Sequence, residues 1–403
     1  MKQITVMGLG YIGLPTANTM AQAGYPVVGF DVSAPVIETL QGGKIHIVEP
    51  GLQEAFTAAL ESGNLTFSTD LPESDVYYIS VPTPFYRDEE GRQRADLSYV
   101  ESAGRMAGRA MRPDSLVILE STVPPRTTEM LARVLSEESG VPMKELHVAH
   151  CPERIIPGNM LYELKNNDRI IGARTPEAAQ MAREIYENVL ESGVCRVTDD
   201  ITAEMCKLTE NTYRDVNIAF ANELSVLCDQ LGIDVFELIR LANCHPRVNI
   251  LSPGVGVGGH CIAVDPWFLC EQFPKDAKVI LACRQRNDDK PRFVAEKVMG
   301  MVDKLVPTIA VLGLSYKADV DDLRESPSIE LCHLLQHKGA RVLGVEPYVQ
   351  ESMIDGIDNV PLEQALREAD LTVITLQHRL FRENKASIAA VPHYDCVGLL
   401  HQA

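Results

Sequence analysis

Apolar and polar positions along this chain follow two periods that take turns. Short apolar runs at Gln3–Met7, Pro26–Phe30, Val76–Val81, Leu116–Leu119 and His147–Ala149 are separated by longer helical or polar stretches. Runs apolar on both faces belong to strands buried inside a parallel sheet, and the stretches between them supply the covering helices. From about Thr202 to Leu231 the pattern becomes that of one long helix, with Met205, Leu208, Ala219, Leu224, Leu227 and Leu231 among its apolar positions. The strand order then resumes with Thr308–Gly313, a turn at Leu314 to Lys317, a helical run from about Pro327 to Lys338, and Arg341–Val345 followed by Glu346. A helix near Leu362–Ala369 leads to a last run, Leu371–Leu376. The expected fold is α/β, with two doubly wound, Rossmann-like domains joined by a helical central domain that carries a long connecting helix. The expected domains are 1–198, 199–300 and 301–403.

The first strand runs into Gly8-Leu9-Gly10-Tyr11-Ile12-Gly13, then an Ala-rich helical stretch to about Ala23, a second strand and Asp31. In a strand-turn-helix unit the three glycines serve a tight turn, approach of a pyrophosphate and helix-strand packing, while the helix N-terminus attracts phosphate. Asp31 follows by about 20 residues, where a carboxylate accepts from both ribose hydroxyls and repels a 2′-phosphate. Gly8, Gly10, Tyr11, Ile12, Gly13 and Asp31 are therefore candidate ligands of NAD in preference to NADP. Ligands in such sheets sit beyond the carboxyl ends of the strands. Here those ends carry Thr83 in Val81-Pro82-Thr83-Pro84, Thr122 in Glu120-Ser121-Thr122-Val123-Pro124, and Glu153 and Arg154 in Cys151-Pro152-Glu153-Arg154. On the long helix Lys207, Asn211 and Asp215 recur at every fourth position and share a face, and Lys207 and Asn211 are expected to point inward.

A net charge of -19 repels nucleic acid and anionic membrane, so a phosphate-bearing ligand has to be held by glycine loops and a few placed cations. No apolar run approaches the ~20 residues of a bilayer span. The ten cysteines include no C-x-x-C pair, which favours neither zinc nor a disulfide framework and fits a reducing compartment, here expected to be the cytoplasm. No metal site is expected.

The stretch from Pro253 to Pro266 packs Gly254, Gly256, Gly258 and Gly259 in front of His260-Cys261 and places Asp265 four positions later. Glycines tolerate backbone angles and close approaches that other residues do not, and a thiol near a helix N-terminus or a cation loses its proton more readily. Cys261 is the candidate nucleophile.

Together, these segments make the chain resemble the nucleotide-sugar 6-dehydrogenases, the UDP-glucose/GDP-mannose dehydrogenase family, along almost its whole length. Further segments carrying the likeness are Ile45-His46-Ile47-Val48-Glu49-Pro50, Thr202 to Asn211, Arg214 to Leu224, His245-Pro246-Arg247-Val248-Asn249-Ile250-Leu251, and Asp322-Leu323-Arg324-Glu325-Ser326-Pro327. The resemblance implies a double, NAD-dependent oxidation of a sugar C6 alcohol to a carboxylate, passing through a thiohemiacetal and a thioester on Cys261. It implies that Lys207 and Asn211 stabilise the C6 oxygen, that Asp265 and Glu153 share general-base duty, and that Thr122 orders water. Arg154, Arg214, His245, Arg247, Gly254, Gly258, His260 and Lys317 are implied substrate contacts beside Glu153, Lys207 and Asn211, and Arg324 lies near the cofactor or the sugar nucleotide. The C-terminal domain is implied to bind UDP, and the central domain to form a homodimer or higher homo-oligomer in which Arg247 crosses into the neighbour's site. The Gly-Gly-His-Cys and Cys-Pro-Glu-Arg forms imply UDP-N-acetyl-D-mannosamine as substrate, oxidised for surface polysaccharide synthesis, with UDP-N-acetylglucosamine or UDP-glucose as the alternative. Outside the family, a non-catalytic nucleotide sensor and a metal-dependent alcohol dehydrogenase making a single oxidation are the competing classes.

Overall fold

The structure, a computed structural model, describes residues 2–89, 93–156 and 158–401, and the chain divides into two compact units, Met1–Thr209 and Glu210–Ala403. The first unit runs β1 (Ile4–Met7), α1 (Gly13–Gln22), β2 (Val27–Phe30), α2 (Ala34–Gln41), α3 (Leu52–Glu61), β3 (Leu65–Ser68) and β4 (Val76–Ile79). It continues with a small hairpin of β5 (Phe85–Arg87) and β6 (Gln93–Ala95), then α4 (Ser98–Ala110), β7 (Leu116–Leu119), α5 (Thr127–Ser139) and β8 (His147–His150). After α6 (Met160–Asn166) come β9 (Arg169–Ala173), α7 (Pro176–Val189), β10 (Cys195–Thr198) and the start of α8 (Asp200–Leu231).

The sheet order is β10-β9-β8-β7-β4-β1-β2-β3. The six strands β8, β7, β4, β1, β2 and β3 are parallel. Strand β9 pairs antiparallel with β8, and β10 then runs parallel to β9, so the sheet is mixed at one edge. The connection into β9 carries only the short α6, and an antiparallel neighbour needs no full crossover helix. Strands β1, β4 and β7 are buried at every residue, as their unbroken apolar runs require. Ile4, Val6, Tyr78 and Ile118 pack with Leu14, Phe56 and Ile185 on one face. Met7, Tyr77, Ile79 and Leu119 pack with Val100, Ala103 and Leu131 on the other.

The second unit holds the rest of α8, then α9 (Val235–Ala242), α10 (Asp265–Gln272), α11 (Lys278–Gly300), β11 (Thr308–Leu312), α12 (Pro327–His337) and β12 (Arg341–Val345). Next are β13 (Met353–Ile354), β14 (Ile357–Asn359), α13 (Leu362–Glu368), β15 (Leu371–Ile374) and β16 (His393–Asp395). The sheet order is β13-β14-β12-β11-β15-β16, parallel except for β13. Helices α8 and α11 are joined by a buried polar network. Asp215 pairs with Arg284. The Asn287 amide donates to the Asp215 carbonyl at 3.1 Å and carboxylate at 2.8 Å, and the Asn222 amide donates to Asn287 Oδ1 at 2.9 Å. Asn222 Oδ1 in turn accepts from the Gly254 amide at 2.8 Å, so the network ends at the foot of the glycine loop.

Candidate active site

In the first unit the glycine turn leaves β1 toward α1, and each glycine has its own reason. Gly8 has φ +90°, and a Cβ there would meet the Ser80 carbonyl oxygen at 2.7 Å; at Gly13 it would meet the Gly8 oxygen at 1.8 Å. At Gly10 a Cβ would meet nothing within 4 Å and the residue is exposed, so that stretch of backbone is open to an incoming group. Asp31 follows β2, and its carboxylate accepts from the amides of Leu9 and Ser33, both at 2.9 Å. The acid is thereby tied to the turn that it follows by two elements, and it remains half-exposed. An open phosphate turn at a helix N-terminus with a carboxylate at the next strand end fits NAD, whose chemistry when bound is acceptance of a hydride. The second unit repeats the order with a different outcome. Glu346 at the end of β12 is 2% exposed and accepts from the Leu314 and Ser315 amides at 2.8 and 2.9 Å and from His378 at 3.2 Å. That carboxylate is committed to the protein and offers nothing to a ribose.

The other strand ends of the first unit converge. Thr83 Oγ1 donates to the Thr122 carbonyl at 2.6 Å, and Ser121 Oγ donates to the Val81 carbonyl at 2.7 Å. Glu153 is buried, ion-paired with the buried Arg169, and accepts from the Arg154 amide at 2.6 Å. The Arg154 guanidinium donates to the Asp168 carbonyl at 3.1 Å. Lys207 is half-buried on α8, whose start is anchored by Glu204: its carboxylate accepts from the amides of Arg126 and Thr128 at 2.6 and 2.7 Å. The fully buried His150 at the end of β8 feels Lys207. Burial pushes this imidazole down to about 3, the Leu119 backbone carbonyl opposes the fall, and the Lys207 charge adds to it, so His150 is neutral at physiological pH. His150, Arg169 and Glu204 escaped the sequence reading. His150 is an isolated polar residue in an apolar run, the signal that could have flagged it; Arg169 follows the polar stretch Lys165 to Asp168 and carries no such signal.

In the second unit Asn211 is 7% exposed and Asp265 is 3% exposed, and Asn211 Nδ2 donates to Asp265 Oδ2 at 2.5 Å. Asp265 opens α10, and its amide donates to the Cys261 carbonyl at 2.8 Å, which sets the carboxylate one turn beyond the thiol. Cys261 is half-buried with its Sγ 3.0 Å from His260 Nδ1. The loop before it is shaped by contact with the protein itself: a Cβ at Gly258 would meet the Glu325 oxygen at 2.4 Å, and Gly259, at φ +83°, lies against the Tyr316 ring. The glycines thus serve close packing, of backbone on backbone at Gly258 and of backbone on the Tyr316 ring at Gly259. Arg324 pairs with Asp322 at 2.6 Å while its carbonyl accepts from the Gly259 amide at 3.1 Å. Lys317, Arg214, His245 and Arg247 are exposed and join none of these contacts. Among the described residues no group of His, Cys, Asp and Glu could hold a metal ion, and no helix is long and apolar enough to cross a membrane.

The NAD-binding domain of the UDP-glucose/GDP-mannose dehydrogenase family matches residues 2–190, its central domain 201–289 and its UDP-binding domain 310–401. An NDP-N-acetyl-D-galactosaminuronic acid dehydrogenase of Ralstonia solanacearum is 46% identical over 95% of this chain and 92% of its own length. A UDP-N-acetyl-D-mannosamine dehydrogenase of Campylobacter jejuni is 46% identical over 94% of this chain and 96% of its own. The solved UDP-D-ManNAc dehydrogenase of Pyrococcus horikoshii superposes with a TM-score of 0.91 at 38% identity, covering 100% of this chain and 96% of that one. An open dinucleotide turn, a thiol one helical turn before an amide-bound carboxylate, and whole-length likeness in sequence and fold meet in one assignment: the chain belongs to the UDP-glucose/GDP-mannose dehydrogenase family and is an NAD-dependent sugar-nucleotide dehydrogenase.

Proposed function

We propose that this enzyme oxidises the C6 alcohol of UDP-N-acetyl-D-mannosamine to the uronate in two NAD-dependent steps, through a thioester on Cys261. The observation that carries the reading is the Asn211–Asp265 hydrogen bond of 2.5 Å with Cys261 one turn before Asp265. Loss of a hydride and a proton turns the alcohol into an aldehyde, to whose carbon the Cys261 sulfur adds, forming a C–S bond. Loss of a second hydride and proton converts this thiohemiacetal into a thioester. Water then breaks the C–S bond, leaving the carboxylate and the thiol. One sugar and one water thus give one acid and two reduced cofactors. Negative charge grows on the C6 oxygen during addition and hydrolysis. The amide hydrogen of Asn211 that Asp265 does not use, together with the Lys207 ammonium, would stabilise it. Asp265 and Glu153 share the removal of the proton from water, and Thr122 helps to order that water. His260, in contact with the sulfur, is placed to take its proton.

The family matches on 2–190, 201–289 and 310–401 support a cofactor domain at 1–198, a central domain at 199–300 and a UDP-binding domain at 301–403. Both relatives at 46% identity are named for N-acetylated sugars, which supports an acetamido sugar. The mannosamine isomer is chosen on the Gly-Gly-His-Cys loop and the 38% identical solved structure. Purified protein incubated with UDP-N-acetyl-D-mannosamine, UDP-N-acetylglucosamine, UDP-N-acetylgalactosamine and UDP-glucose should form NADH fastest with the first; no turnover with it would discard this substrate.

The reading includes a homodimer through the central region and a cytoplasmic location, the latter fitting ten scattered cysteines in a reducing compartment. Supporting the dimer, α8 exposes Tyr213 (63%), Phe220 (51%) and Leu227 (47%) at seven-residue spacing, with Leu231 (72%) beyond them. A stripe of that kind seeks an apolar partner. Phe220→Glu should shift the protein toward monomers in sedimentation equilibrium, and an unchanged mass would remove α8 from the interface.

A further inference from the structure

One buried acid has no part in the chemistry above. Glu120 follows β7 at the centre of the first sheet, 2% exposed, and both of its oxygens are used by the neighbours of the phosphate turn. Thr16 Oγ1, one turn beyond Gly13 on α1, donates to its two oxygens at 3.1 and 3.2 Å. Ser80 Oγ donates to Oε2. Ser80 is the floor of the turn, since its carbonyl oxygen lies 2.7 Å from where a Gly8 Cβ would stand and its own Cβ lies 3.2 Å from that of Gly13.

We propose that Glu120 is a positioning residue for the cofactor site: by holding Ser80 and Thr16 at once, it fixes the glycine turn and the first turn of α1 in the shape that receives the cofactor's pyrophosphate. The geometry is unusual for a residue of its type. A carboxyl group at a buried strand end is costly unless it is hydrogen-bonded, and here its partners are two hydroxyls, one on α1 and one, after β4, against the glycine turn. Burial pushes Glu120 up to about 7, the nearby Glu153 adds to the rise, and Ser80, Arg169 and Thr16 pull it down. Tyr78 on β4, Tyr186 on α7 and Cys151 after β8 complete the titratable surroundings. Neither the glycine motif nor Asp31 accounts for this acid.

The test is calorimetric titration of the full-length protein with NAD and, separately, with UDP. Glu120→Ala removes both holds and should weaken NAD binding about tenfold while leaving UDP binding unchanged. Glu120→Gln keeps an acceptor and the volume, and should restore NAD affinity most of the way. Ser80→Ala and Thr16→Val, which delete the hydroxyls with little change of shape, should each weaken NAD binding, and combining either with Glu120→Ala should add nothing further. Unchanged NAD affinity in Glu120→Ala would overturn the proposal. So would equal losses for NAD and UDP, which would mark a general folding defect. If Glu120→Ala does not fold, NAD affinity equal to the native value in both Ser80→Ala and Thr16→Val would overturn it as well.

Discussion

Cys261→Ser is expected to lower formation of the sugar acid by at least about 10³-fold, because it removes the group that forms and leaves the covalent intermediate. A serine hydroxyl is ionised far less than a thiol near neutral pH, and an alkoxide leaves an acyl carbon far less readily than a thiolate. The native enzyme should form two NADH per sugar consumed. The variant should bind NAD as the native protein does, since the cofactor turn lies in the other compact unit, Met1–Thr209. Stopped-flow and end-point NADH absorbance would show both effects. A serine variant that makes the acid at the native rate refutes the thioester route, and one NADH per sugar from the native enzyme points to a simple alcohol oxidation.

Arg284→Met should cost about 3–5 kcal/mol of stability, the usual penalty for stripping one partner from a buried ion pair. Arg284 and Asp215 are both wholly buried, and Asp215 also accepts from Asn287. Burial pushes the Asp215 carboxyl up to about 6, while Arg284 and the Asn287 amide pull it down. A folded-state pKa raised above the unfolded value costs stability in full above that raised value, and the cost fades as pH falls through it toward the unfolded one. Removing Arg284 raises the folded value further. The drop in thermal midpoint relative to the native protein should therefore be largest at about pH 8 and smaller at about pH 5. Adding Asp215→Asn to Arg284→Met should recover part of the loss, because the second change removes the stranded charge. A midpoint loss equal at both pH values would show that the deficit comes from lost packing around Arg284. Since the same network ends on the Gly254 amide, the single variant should also raise the KM for the sugar nucleotide.

The apolar periods of the chain located most of the fold. The strands at Leu116–Leu119 and Arg341–Val345 and the long helix to Leu231 fall where the sequence places them. Residues buried on both faces leave an unbroken apolar record. The edge strand β10 left none: three residues of Cys195–Thr198 are polar or charged or sulfur-bearing, and two of the four are exposed. The antiparallel turn into β9 depends on a connection whose course only the packed chain fixes.

For the site the division has a similar cause. Glycine spacing, Asp31, and the Cys261 to Asp265 interval are local patterns, and local patterns are what a linear reading registers. That Asn211 meets Asp265 across 54 positions, that Glu120 reaches Thr16 across 104, and that Glu346 turns inward where Asp31 stays half-exposed are matters of which side chains the close-packed interior sets face to face. The sequence by itself determined the strand and helix order, the cofactor turn and the candidate thiol, because each is written in neighbouring residues. Tertiary structure alone decided which acids are sealed and which stay open, because burial and hydrogen-bond partners are set by residues far apart in the chain.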